Sequence, residues 1–341
     1  MRVLFINRMA SLVRGGGETF DLEMARHLAE LGVQVTFLTG LPLCGRARLG
    51  PSDWWPEGGR GRRPHMASFQ IRTPYFGWFP WDRVRGGWRL RWWEFVWFER
   101  AAARWAWRRR SEFDVIQVCE LPTFVRAFKS QGSGPPVVMR LTAPDFHDPS
   151  GAIRVADALV ASGTTMQKMR SGLRPDCEDI PNGVDPSLFR PHASPVRSRE
   201  RWNDDGPVVL FVARFQAVKN HGMLLDAFRS LLRDEPRARL VLAGRGPLEA
   251  EVRSRVAALG IAARVSFLGE MTFQALADLY AAADINVIAS DYESFSFAAL
   301  EGMASGLPHV VTSTAWVPTL LGGRGGVSTG REEAPGGYVV A

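Results

Sequence analysis

Glu293 and Glu301 stand eight positions apart within SDYESFSFAALEGMASG (290–306), with serines and phenylalanines between them. Upstream, FVARFQAVKNH (211–221) supplies Arg214 and Lys219, and AGRGP (243–247) supplies Gly244 and Gly246. Near the start of the chain, RGGGETF (14–20) supplies Gly16 and Gly17. Carboxylates suit hydroxyl groups, cations neutralise a diphosphate, and glycines at a helix N-terminus let backbone N–H groups approach an anion. A ligand that carries both hydroxyls and phosphates is a nucleotide sugar. Taken singly, each feature also reads as a solvated glutamate, a surface cation or a tight turn. RGGGETF lacks the GxGxxG spacing of a dinucleotide fingerprint.

The elements that must position these residues alternate along the chain. In the first half VLFIN (3–7), VQVTFLT (33–39), FDVIQV (113–118), PPVVMRL (135–141) and ADALVAS (156–162) are apolar runs, and the amphipathic ETFDLEMARHLAELG (18–32) joins the first two. Continuous apolar strands separated by helices predict a parallel sheet covered on both faces. PNGVDPSLFRP (181–191) interrupts the pattern and opens a linker expected over 181–205. The pattern restarts with PVVLFVA (207–213), ARLVLAG (238–244), RVSFLG (264–269), INVIAS (285–290) and PHVVTS (308–313), each of the first four followed by a helical segment. The expectation is an α/β chain with an N-terminal domain over 1–180 and a C-terminal domain over 206–341. A cleft would lie where the carboxyl ends of the two parallel sheets face each other. Glu293 then falls in a loop at a strand's carboxyl end, and Glu301 in the helix begun by SFAALEGMAS, with Ser294 or Ser296 as its cap. Arg214 and Lys219 fall in another strand-end loop opening on the same edge.

Composition bounds the partners. The 341 residues are 46% hydrophobic and carry a net charge of +7, which points to phosphate on a small ligand or on an anionic surface. Lysine occurs only at Lys129, Lys168 and Lys219, so a lysine beside a candidate site stands out. Cys44, Cys119 and Cys177 are isolated, with no metal-ligand spacing and no disulfide framework, which fits a reducing cytoplasm. No apolar run approaches the ~20 residues of a membrane span, and MRVLFINRMASLV is too short and interrupted for a signal peptide.

GGGETFDLEMARHLAELG, ADALVASG, IPNGVD, VARFQAVKNH, LAGRGP, FLGEM, AAADINVIAS and ESFSFAALEGMASGLPHVV follow one another across most of the chain. Together they resemble the retaining glycosyltransferases of family 4, the last segment matching that family's E-x7-E signature. The resemblance implies the GT-B architecture of two facing Rossmann-like domains. It implies that Arg214 and Lys219 bind the donor diphosphate, Glu293 the hydroxyls of the transferred sugar and Glu301 the ribose. Gly16 and Gly17 would meet the diphosphate from the first domain, the amides around Ser296 and Phe297 would hold phosphate, and Gly244 and Gly246 would allow close approach to the donor. It further implies a UDP-, GDP- or related nucleotide sugar, a glycan or lipid-linked acceptor, no cofactor and no metal. With cations stabilising the departing nucleoside diphosphate, the acceptor hydroxyl attacks from the same face, and Glu293 positions the sugar instead of acting as a glycosidase carboxylate.

Three departures accompany the resemblance. Thr142 stands where such enzymes often carry a histidine aimed at the donor sugar, with Asp145 and His147 a few residues on as candidate substitutes. Ala289 replaces a common proline. The sequence closes at EEAPGGYVVA, where family members usually continue with several helices, so a shortened second domain is expected.

One segment stands outside this scheme. WDRVRGGWRLRWWEFVWFERAAARWAWRRR (81–110) mixes tryptophans with arginines and predicts a helix from about residue 88. An anionic membrane interface, a nucleic acid, or a core filled by tryptophan with solvated arginines all suit it. The membrane surface is the partner expected here and nucleic acid is not, which places the chain in the cytoplasm, peripheral on the inner face of the membrane. The leading reading is a glycosyltransferase. The alternatives are a non-catalytic nucleotide-sugar- or membrane-binding protein derived from a truncated transferase, and a GT-B epimerase or phosphorylase.

Overall fold

The computed structural model describes residues 1–12, 16–43, 65–75, 87–142, 146, 148, 150–191, 206–293, 295–313, 331–334 and 337–340. The chain divides into two compact units, Met1–Pro181 and Asn182–Ala341. Residues 192–205, most of the expected linker, lie outside the described residues.

The first unit holds strands β1 (Arg2–Ile6), β2 (Gln34–Pro42), β3 (Met66–Thr73), β4 (Val115–Cys119), β5 (Val137–Arg140), β6 (Ala158–Ala161) and β7 (Glu178–Asp179). Its helices are α1 (Gly16–Glu30), α2 (Gly87–Arg108), α3 (Pro122–Lys129), α4 (Ala152–Val155) and α5 (Gly163–Arg170). The sheet order is β3-β2-β1-β4-β5-β6-β7, and every pairing is parallel. β1 explains why the strand runs lack polar alternation. Leu4 and Ile6 join Phe98, Phe124 and Phe128 on one face, while Val3 and Phe5 join Leu22, Ala25 and Phe37 on the other. Each of the Val, Leu, Ile and Phe side chains among these contributes about 1.5–3 kcal/mol by leaving water. Helix α1 stops where Gly32 takes a φ of +83°, letting the Gly32 and Val33 amides reach the Ala29 and Leu28 carbonyls.

The second unit holds β8 (Val208–Val212), β9 (Arg239–Ala243), β10 (Val265–Gly269), β11 (Ile285–Ile288), β12 (His309–Thr312), β13 (Arg331–Ala334) and β14 (Gly337–Val340). Helices α6 (His221–Asp234), α7 (Glu249–Ala258), α8 (Phe273–Ala282) and α9 (Phe297–Ala304) connect them. The sheet order is β10-β9-β8-β11-β12-β14-β13, parallel except for the β13–β14 pair. Val209, Phe211, Leu240 and Leu242 pack under α6 and α7, and Val208, Leu210, Val241 and Ala243 under α8.

All ten strands expected from the sequence are present, with ends displaced by at most three residues. Three features differ from the expectation. β3 is an edge strand whose side chains are mostly exposed, so it carries no apolar run to announce it. β7 is only two residues long. β13 and β14 form an antiparallel pair on a sheet that the sequence pattern reads as wholly parallel.

Candidate functional site

In the second unit the strand order reverses between β8 and β11: β9 and β10 continue to one side, β12 and β14 to the other. Loops leaving two such neighbouring parallel strands diverge and open a crevice at their carboxyl ends. After β8 the chain makes a short turn at Ala217–Lys219, and Asn220, in the left-handed region at φ +50°, caps α6 by accepting from the Met223 amide. After β11 comes the loop that carries Asp291 and Glu293. The two loops are tied together: the Asp291 amide donates to the Val218 carbonyl (2.8 Å) and the Asn220 amide side chain to Asp291 Oδ1 (2.8 Å). Within that frame Lys219 Nζ donates to Glu293 Oε1 at 2.5 Å, and Ser290 Oγ donates to the same oxygen at 2.8 Å. Ser290 is held in turn by Thr312 on β12, whose hydroxyl donates to the Ser290 carbonyl at 2.6 Å.

Both donors converge on Oε1, so among the described residues Glu293 Oε2 has no hydrogen-bond partner. Lys219 uses one of its three N–H donors. The pair is partly open, with side-chain exposures of 21% for Lys219 and 13% for Glu293. A crevice therefore presents an accepting oxygen and spare ammonium donors side by side, suited to hydroxyls and phosphate oxygens.

Arg214 lies just past β8 and is exposed, with no ion pair or hydrogen bond of its side chain among the described residues. Gly244 and Gly246 face a different demand from the one the sequence suggested. A Cβ on Gly244, whose φ is +135°, would stand 2.0 Å from the Ala213 carbonyl oxygen, and one on Gly246 2.4 Å from that of Phe215. Both glycines let the loop after β9 press against the backbone that carries Arg214, a contact closed by the Phe215 amide on the Arg245 carbonyl (3.1 Å). Their geometry is accounted for by the protein's own backbone.

His221 is a residue the sequence reading left without a role. Its ring stacks on Phe215 at 4.4 Å and meets Phe211 edge-on at 5.0 Å, and neither ring nitrogen has a hydrogen-bond partner. Burial, helped by the charge on Lys219, pulls its pKa down to about 4, so the ring is neutral at pH 7. It acts as a flat wedge beneath the turn that presents Lys219.

Glu301 is not brought to the Lys219–Glu293 pair among the described contacts. It faces inward from α9, 5% exposed, with Oε2 3.0 Å from the Tyr280 hydroxyl. Burial raises its pKa to about 8, against a smaller opposing effect of the Tyr280 hydrogen bond. The Tyr280 hydroxyl also lies 3.1 Å from the Ala298 carbonyl, and its one proton serves only one of the two acceptors. A protonated Glu301 resolves this by donating to Tyr280. Helix α9 is clamped onto the sheet at Gly302, where a Cβ would stand 2.6 Å from Asn286 Nδ2 and 2.7 Å from His309 Nε2. Ser296, at the helix N-cap with φ +67°, accepts from the Ala299 amide at 3.4 Å, and Phe297 is the first helical residue. Ser294 lies outside the described residues.

The first unit has the same reversal, between β1 and β4. Gly16 and Gly17 open α1 above it. Gly17 is close-packed: its carbonyl accepts from Arg140 Nη2 (2.9 Å), and a Cβ there would lie 3.5 Å from Thr142 Cγ2. Beneath it Asp21 is buried and accepts from Asn7 (2.7 Å), Gln117 (3.3 Å) and Arg140 Nε (3.1 Å). Thr142 gives both its amide (2.6 Å) and its hydroxyl (2.5 Å) to Glu120 Oε1. Glu120, at the end of β4 with φ +52°, was missed; a glutamate directly after a strand's last apolar residue is its only sequence signal. Asp145 and His147 lie outside the described residues. Among the described residues no group of three or more His, Cys, Asp or Glu is placed to hold a metal.

These crevices can be set beside known proteins. Residues 194–323 match the family model Glycosyl transferases group 1. That stretch contains the Lys219–Glu293 crevice and α9. Over 143 residues the chain is 38% identical to mannosylfructose-phosphate synthase of Agrobacterium fabrum strain C58, covering 39% of this chain and 32% of that protein, so the match spans about a third of the relative's length. Two solved structures follow nearly the whole chain. Sucrose-phosphate synthase from Thermosynechococcus elongatus superposes with a TM-score of 0.70 at 21% identity, covering 94% of this chain and 83% of that one. Anabaena HepE in complex with UDP and glucose superposes with a TM-score of 0.68 at 19% identity, covering 100% of this chain and 85% of that one. At these identities the superpositions establish the fold, which is GT-B.

Proposed function

We propose that this chain is a glycosyltransferase that moves a sugar from a nucleotide-sugar donor to a glycan or lipid-linked acceptor with retention of anomeric configuration. The observation that carries this is the Lys219–Glu293 pair at the strand-order reversal of the second unit, with Oε2 open and Ser290 fixing the carboxylate. The group 1 match over 194–323, and the likeness to Anabaena HepE in complex with UDP and glucose, agree with it.

In this reading Lys219 and Arg214 hold the donor diphosphate, and their charge becomes most valuable as the nucleoside diphosphate departs. Glu293 accepts from hydroxyls of the transferred sugar. The amides of Ser296 and Phe297 at the start of α9 hold phosphate, as a helix N-terminus does for anions. Glu301 serves the ribose, its neutral carboxyl exchanging Tyr280 for a ribose hydroxyl. Gly16 and Gly17 serve the donor diphosphate, and Thr142 is a candidate contact of the donor sugar. Gly244 and Gly246 act through the backbone that carries Arg214. No metal or cofactor takes part.

The test incubates the whole chain with UDP-, GDP- and ADP-sugars and follows nucleoside diphosphate release, with and without EDTA, and the anomeric configuration of the product by NMR. Release from one donor, insensitive to EDTA and giving a retained product, supports the reading. Inversion or a metal requirement refutes the corresponding part, and binding without release moves the chain to the non-catalytic class.

A further inference from the structure

Among the described side chains of helix α2, charge separates by face. Arg89, Arg100, Arg104 and Arg108 are exposed, whereas its two carboxylates, Glu94 and Glu99, are each 3% exposed. Both inward carboxylates have structural partners: Glu94 pairs with the buried Arg8, and Glu99 accepts the Phe124 amide at the start of α3 (2.9 Å). Among the described residues no carboxylate pairs with Arg100, Arg104 or Arg108.

The tryptophans divide in the same way. Trp97, Trp105 and Trp107 pack against the core, Trp105 lying 5.2 Å from the Phe69 ring and Trp107 5.5 Å from that of Phe128. Trp92 and Trp93 are 52% and 53% exposed. Core packing therefore accounts for three of these rings and leaves two unexplained. The exposed positions 89, 93, 100, 104 and 108 follow one another at steps of four, seven, four and four, so they form one stripe along the helix, with Trp92 at its edge.

We infer that this outward face of α2 docks the chain on an anionic lipid surface. Tryptophan settles at headgroup depth, its ring among acyl carbons and its N–H in the wet interface, while guanidinium groups meet lipid phosphates. Each arginine near such a surface strengthens partitioning roughly fivefold. Single-stranded nucleic acid draws on the same side-chain types, but its binders enclose the strand in a groove, and the stripe lies on a convex helix face.

The test mixes the full chain, without donor or acceptor, with sucrose-loaded vesicles of phosphatidylcholine alone or with a quarter phosphatidylglycerol, and sediments them at low and at high salt. The expected result is binding to the anionic vesicles only, weakened at least tenfold by salt. The triple variant R100Q/R104Q/R108Q and the double variant W92A/W93A should each lose about tenfold or more, while R233Q on the second unit binds as the parent does. Circular dichroism melts of each variant confirm folding, and all changes are on exposed side chains. No sedimentation at low salt, equal binding to both vesicle types, or variants that bind like the parent would overturn the inference. So would retention on a single-stranded oligonucleotide without vesicle binding. Because no donor enters the experiment, its failure leaves the transferase reading untouched.

Discussion

The two units reverse strand order at the same place in their sheets, between β1 and β4 in one and between β8 and β11 in the other, and each sets an acid beside a base there. In the first unit the pair is Asp21–Arg140, with side-chain exposures of 3% and 6%, and Asp21 takes three side-chain donors from its own unit. Burial disfavours the charge on Arg140, yet Asp21 and its neighbours more than offset this, so the guanidinium holds its proton more firmly than usual. In the second unit Lys219–Glu293 is several times more exposed and, among the described residues, leaves an oxygen and ammonium donors uncommitted. One topology thus yields a crevice closed by its own network and a crevice with capacity left for a ligand. The difference lies in how many internal partners each charge has been given.

The largest expected effect breaks the closed pair. Asp21→Ala leaves the Arg140 guanidinium buried without its partner and should cost about 3–5 kcal/mol of stability by denaturant titration, whereas Lys219→Ala should cost clearly less, because Glu293 keeps the Ser290 hydroxyl and some contact with solvent. Equal stability losses would erase the distinction between the crevices. Gly302→Ala comes next: its methyl group meets Asn286 and His309 where α9 approaches the sheet, and overpacking of this kind costs about 1–3 kcal/mol.

Glu301 sharpens the comparison through pH. Its folded pKa of about 8 lies above the unfolded value of 4.5, so the unfolded chain ionises first. Its contribution is therefore fully present below pH 4.5 and is lost as pH rises toward 8. Glu301→Gln removes that slope, and its Tm relative to the parent should climb across this window by at least about 2 °C. A constant offset would mean that Glu301 is ionised in the folded protein. The smallest effect is expected at Thr142→Val, which removes the hydroxyl bond to Glu120 and should cost about 1 kcal/mol.

How much of this was legible in the sequence follows from which residues signal through pattern. β1 and β8 announce themselves because burial on both faces demands uninterrupted apolar residues. β3 does not, since an exposed edge strand such as MASFQIRT needs only its backbone pairing. Lys219 and Glu293 were legible as strand-end residues, but their mutual bond depends on β8 and β11 being neighbours, a fact of topology and not of spacing. Glu301 shares the Glu293 motif yet turns inward, because the helix phase that follows Ser296 points it at Tyr280. Gly244 and Gly246 looked like ligand contacts in the sequence, where the backbone that crowds them is invisible. The division of α2 into an acidic inner face and a basic outer one required knowing which side the core lies on.

The most direct test of the central claim measures nucleoside diphosphate release from the active donor by the parent chain and by Lys219→Ala under identical conditions. The account predicts that loss of this cation lowers kcat by about 10²–10³ with folding intact. Unchanged turnover in Lys219→Ala would contradict it, because the open crevice of the second unit would then not be where the leaving group is stabilised.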